Sequence, residues 1–162
     1  MRLRNHLIQL LITTIALNTA VYYKALAASA VAQAVQTVIA VLSISKISDL
    51  NFGTAIQGSL PKTVPPGTTE NSENASFTVT GEPNRDYAIH LPANGSIKMV
   101  TSNGGSSDKE IGVSNFHSFP LGTGMIGPGG TQNLFIGATR NVILRNQVPG
   151  DYAGSFTITL VY

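Results

Sequence analysis

The sequence predicts an all-β chain: an immunoglobulin-like antiparallel β-sandwich behind an N-terminal signal peptide. Near the C-terminus, Phe156, Ile158, Leu160 and Tyr162 alternate with Ser155, Thr157, Thr159 and Val161, the period of two that marks a half-buried strand. Other short apolar runs recur along the chain, each bounded by Gly, Pro, Asn or Ser, as in sandwiches and barrels rather than α/β folds. After about residue 43 no segment repeats with the helical period.

At the N-terminus, Arg2 and Arg4 precede an apolar run from Leu7 to Leu17 and then small residues at signal-peptidase spacing, the pattern of a secretory signal. Three A-x-A sites compete: Ala25-Leu26-Ala27, Ala28-Ser29-Ala30 and Ala32-Gln33-Ala34. Cleavage is expected within residues 27–34, with Ala27 favoured because it ends the apolar region soonest. A retained anchor is disfavoured: Gln9, Thr13, Thr14 and Asn18 interrupt the run, which is already shorter than the ~20 apolar residues of a spanning helix. The expected organisation is a signal over residues 1–27, an extension over 28–42 and one domain over 43–162.

The extension is rich in Ala, Val and Gln. Val38, Ala40, Leu42 and Ile44 share one alternating face, although the composition also fits a short helix. Farther on, Phe77 and Val79 alternate with Thr78 and Thr80, residues 81–86 (GEPNRD) turn the chain, and Tyr87, Ile89 and Leu91 alternate again. This reads as a hairpin. Further strands are expected at residues 97–100, 111–116, 134–138 and 142–144. The last strand follows Pro149-Gly150-Asp151, with Tyr152 on the face of Phe156, and Ile158 and Leu160 are expected in the core.

Composition narrows the function. Removing residues 1–27 takes away Arg2, Arg4 and Lys24, so seven basic residues face eight acidic ones and the formal charge falls from +2 to −1. The remaining cations are scattered singly, which argues against nucleic acid as a partner. Charged residues make up 11% of the chain, below the ~25% of average domains, so solubility rests on Ser, Thr, Asn and Gly. Cysteine is absent although the signal directs the chain to an oxidising compartment, and stability must come from packing or partners.

No pattern argues for an enzyme or a cofactor. Gly122-Thr123-Gly124-Met125-Ile126-Gly127 matches G-x-G-x-x-G, but Pro128-Gly129-Gly130 follows where the fingerprint needs a helix, so a loop is expected. His90 and His117 have no ligand at metal spacing. There is no G-x-S-x-G elbow to favour one serine as a nucleophile. Asp108 and Glu110 could offer oxygens to calcium, but Lys109 between them favours a solvated tip. The glycosylation-type triplets at Asn74 and Asn94 read as coincidence. Tyr87, Phe116, Phe119 and Tyr152 could form an aromatic platform for a glycan, but the alternation places Tyr87 and Tyr152 inward.

Four segments carry a resemblance: LNFGT at 50–54, FTVTGEPNRDYAIHL at 77–91, FIGAT at 135–139 and PGDYAGSFTITLVY at 149–162. In that order they resemble the secreted bacterial domain-of-unknown-function 4402 family. They are also similar to spore-coat-U domains and, more distantly, to chaperone–usher pilins. The chain differs from the former in lacking cysteine and from the latter in having its tyrosine last rather than penultimate.

The resemblance implies an exported, noncatalytic surface or fimbria-like subunit of the periplasm, cell surface or medium. It would pair with other subunits by β-strand addition, with a periplasmic chaperone and usher as further partners and without a membrane span after cleavage. Val38, Ala40, Leu42 and Ile44 would then be the donor face, and Phe156, Ile158, Leu160 and Tyr162 the acceptor edge. A secreted carbohydrate-binding module is the alternative.

Overall fold

The structure, a computed structural model, describes residues 28–162, and the expected signal peptide at 1–27 lies outside the described residues. Two units are distinguished, one ending at Thr37 and one spanning Val38–Tyr162. In the first, residues 28–37 are exposed and take neither helical nor strand conformation.

The second unit is the all-β fold that the alternation predicts. Its strands are β1 (Ser43–Ser48), β2 (Lys62–Val64), β3 (Ala75–Thr80), β4 (Asp86–His90), β5 (Ile97–Val100), β6 (Glu110–Phe119), β7 (Thr123–Met125), β8 (Thr131–Arg140) and β9 (Thr159–Val161). They form two antiparallel sheets. The larger runs β1-β3-β8-β6-β5, with β2 also on β8, and the smaller runs β7-β4-β9. Strand β8 is the spine: its first half pairs with β3, its second half with β2, and its other edge with β6.

Inward alternation builds the core. Ala75, Phe77 and Val79 from β3 meet Leu134 and Ile136 from β8, and Tyr87 and Ile89 from β4 close over them. A second cluster joins Phe52, Val64, Val113 and Ala138. In β6 the alternation changes phase. Ser114 pairs with Thr139 and His117 with Gly137, so two residues of β6 stand opposite Ala138 alone. Asn115 takes up the extra residue at φ +50°, a conformation Asn tolerates better than most residues. Its N–H donates to Asn94 Oδ1 at 2.7 Å. This bulge lets Ile111, Val113 and Phe116 all face inward, although Phe116 is out of step with the other two.

Three expectations are corrected. The hairpin at 77–91 has both of its strands, but β3 lies in the larger sheet and β4 in the smaller. The turn between them is a crossover, held by Gly81 N–H to Gly130 O (3.0 Å) and Asn84 N–H to Ile126 O (2.9 Å). Residues 142–144 form no strand, and the Ile143 N–H binds Ser59 O in a loop instead. Finally, Ile158 and Leu160 face the core but are only half-buried, because the smaller sheet does not cover the larger one fully at that edge.

The short strands β2 and β7 have too little alternation to be read from sequence. β7 lies within the G-x-G-x-x-G match, so an edge strand stands where the sequence reading expected a loop. Gly124 is glycine for want of room, since a Cβ there would run into the Tyr87 ring.

Candidate functional site

The C-terminal segment borders the smaller of two incompletely covered places in the sandwich wall. Ala153 bridges to Val100 beside β5, and β9 pairs with β4 in the smaller sheet. Between these anchors residues 154–158 join no ladder, so the strand expected over 155–162 is shortened to β9. They cross the inner side of the larger sheet, with the Phe156 ring against Phe116 at a centroid distance of 5.1 Å. An open groove of about 250 Å³ remains, lined by Ile44, Lys46, Phe77, Phe156, Thr157 and Ile158. Both strands nearest it are edges: β1 pairs only with β3, and β9 only with β4. The groove is therefore an open, partly apolar depression between edge strands, and exposed sheet edges are what strand addition uses.

The expected acceptor residues divide. Phe156 and Ile158 line the groove, Leu160 packs on the core beside it, and Tyr162 lies outside it. The Tyr162 hydroxyl accepts from Glu82 N–H (2.6 Å) and donates to Ala40 O (3.2 Å), and Arg85 sits 4.9 Å from its ring centroid. Glu82 completes the clamp by accepting from Ala40 N–H at 2.8 Å. The last side chain of the sequence thus ties the β3–β4 crossover to the start of the domain. Tyr162→Phe keeps the ring and removes both bonds, so a loss of about 1–2 kcal/mol is expected, measured by urea unfolding.

The expected donor residues divide as well. Ile44 pairs with Val79 within its own subunit, and Leu42 packs on its own core. Ala40 is held by the Tyr162 clamp, and Val38 is exposed. Ahead of them, Val31 is 98% exposed and Val35 88%.

The four aromatic residues weighed as a glycan platform do not share a face. Tyr87 is fully buried, its hydroxyl donating to Gln132 Oε1 at 2.7 Å, and burial pushes its pKa up to about 12. Phe116 packs on Phe156, Phe119 is exposed, and the Tyr152 hydroxyl donates to Val148 O at 2.6 Å.

At the β5–β6 tip, Lys98 binds Glu110 at 2.6 Å and, with the Gly105 N–H, holds its carboxyl below the usual range. Among the described residues no group of three His, Cys, Asp or Glu could hold a metal, and no helix is long and apolar enough to cross a membrane. Asn74 is buried, its amide donating to Pro66 O and Thr69 O.

Sequence reading passed over one residue, Arg140. It occupies the inward parity of β8 after Leu134, Ile136 and Ala138, and is 5% exposed. A charge in phase with three core residues was the signal that could have found it.

This two-sheet domain belongs to a family defined by sequence: residues 62–162 match the model described as a domain of unknown function (DUF4402). The chain is a member of that family. No curated protein and no solved structure matches it.

Proposed function

We propose that this protein is a noncatalytic exported subunit of a surface or fimbria-like assembly, joined to its neighbour by β-strand addition. The observation that carries the reading is the open groove between β1 and residues 154–158. Its occupant is the N-terminal segment of a second copy. At ~3.3 Å per residue, residues 28–37 are about twice as long as the five-residue stretch they would follow. Val31, Gln33 and Val35 have the same strand parity, so the two valines enter the groove together with Gln33 between them while Ala32, Ala34 and Gln36 face out. Because Leu42 and Ile44 serve their own domain, the donor lies upstream of the face expected from sequence.

The test is sedimentation of the exported protein over a range of concentrations, after intact-mass measurement of the cleavage site. Full-length mature protein should self-associate with rising concentration. Deleting residues 28–37 should leave a monomer with a lower melting temperature, and a synthetic peptide of those residues should restore it. A mature chain that begins at Ala28 or Val31 keeps the donor valines, whereas cleavage after Ala34 would remove Val31 and count against the reading. So would a mature protein that stays monomeric at high concentration.

A further inference from the structure

A second opening lies apart from the groove and is unrelated to strand addition. It is a cavity of about 570 Å³ walled by the LNFGT segment and its continuation to Gln57, by Met99 and Ile111, and by Ile143 and residues 147–152. That volume is in the range of small-molecule sites. The walls are rigidly built: Lys62 Nζ donates to Phe52 O (3.1 Å), Asn51 Oδ1 accepts from Gly53 N–H (2.8 Å), and Gln147 Nε2 donates to Asp108 O (2.8 Å).

Arg140 lines this cavity from the end of β8. Two of its five N–H groups are used, Nη1 to Asn141 O and Nη2 to Leu60 O, both at 2.9 Å. Its Nε is buried without a partner. All eight acidic residues of the chain lie among the described residues, and the ion pairs these form are Lys46–Asp49, Lys62–Glu73 and Lys98–Glu110. Arg140 therefore has no carboxylate within the chain. Burial lowers its pKa, yet a guanidinium stays charged at any physiological pH. Sheltered cations are costly unless paired, and the arginine fork matches a carboxylate better than any other small anion-bearing group except phosphate.

The rest of the lining chooses between those two. Asp151 stands at the exposed rim and would repel a doubly charged phosphate. Its carboxylate, with Asn51 and Thr54, suits ligand hydroxyls, while Met99, Ile111 and Ile143 offer an apolar wall to a ring's C–H face. The geometry points to a binding site for a small hydroxylated carboxylic acid, with Arg140 as its anchor. This site is independent of the groove, and either can fail without the other.

The experiment titrates the exported full-length protein with D-glucuronate, D-glucose and acetate, reading calorimetric affinity and amide shifts by NMR. Glucuronate should bind at least about tenfold more tightly than glucose, which lacks the carboxylate, or acetate, which lacks the ring. Shifts should gather at Ile111, Ile143 and Tyr152. Arg140→Met should weaken glucuronate about tenfold or more, down to the affinity that glucose shows for the unmodified protein. Glucose binding as well as glucuronate, acetate matching glucuronate, shifts elsewhere, or no binding of glucuronate would each overturn the assignment. The comparison of three ligands on the unmodified protein stands even if the variant does not fold.

Discussion

Gly137→Ala is expected to destabilise the domain by about 3 kcal/mol or more, as overpacking against atoms that cannot yield does. Gly137 lies in the middle of β8, opposite His117. A Cβ there would run into Val64 O and come within 2.5 Å of Pro65 C and Pro66 N. All of these are main-chain atoms, so relief requires moving the segment that leaves β2. Gly129→Ala provides the control, since nothing lies within 4 Å of a Cβ there. It should change stability by no more than ~0.5 kcal/mol. Chemical denaturation of the two variants measures the difference, and equal losses would show that the segment leaving β2 does not pass over Gly137 as described.

Leu134→Ala is expected to cost about 2–5 kcal/mol, the range for deleting a fully buried aliphatic side chain. Leu134 is 0% exposed and is packed among Val79, Tyr87 and Ile136. Ile158→Ala and Leu160→Ala should cost less, roughly 1–2 kcal/mol, because both side chains are only half-buried and lose less apolar contact on truncation. Thr159→Ala, on the outward face, should be milder still. Urea unfolding at one low protein concentration gives the order. If Ile158→Ala matched Leu134→Ala there, the edge would already be covered within one subunit, against the open groove. At high concentration the cost of Ile158→Ala should rise, because strand addition would bury that side chain between subunits.

The two variants separate what local pattern reports from what it does not. At residues 77–80, 87–91 and 155–162 the period of two was legible because these segments bury one face, although only Thr159–Val161 of the last pairs as a strand, while 134–138 was legible as an apolar run that is buried on both faces. There the side chains themselves record which way is in. Even the half-burial of Phe156, Ile158 and Leu160 follows the expected parity.

Which strand lies beside which was not legible. GEPNRD at 81–86 looks like a hairpin turn because Gly, Pro and Asn bend the chain equally well within a sheet or between sheets. The choice was made by Gly130 and Ile126, distant residues that accept the turn's N–H groups. The phase change in β6 likewise depends on Asn94, across a loop from Asn115.

The candidate sites divide in the same way. The residues bordering the groove came from alternation, but its openness came from a three-stranded sheet facing a six-stranded one, a mismatch with no local trace. Arg140 was visible only as a charge on an inward parity. That it lacks a carboxylate, and that the LNFGT segment and the loop before Tyr152 enclose it, depends on contacts between residues nearly a hundred positions apart. The sequence by itself determined the strands, their buried faces and the absence of cysteine staples, because side-chain periodicity and composition are local quantities. The tertiary structure alone decided the sheet order, the uncovered edge and the sheltered cation, because pairing and desolvation belong to residues brought together by folding.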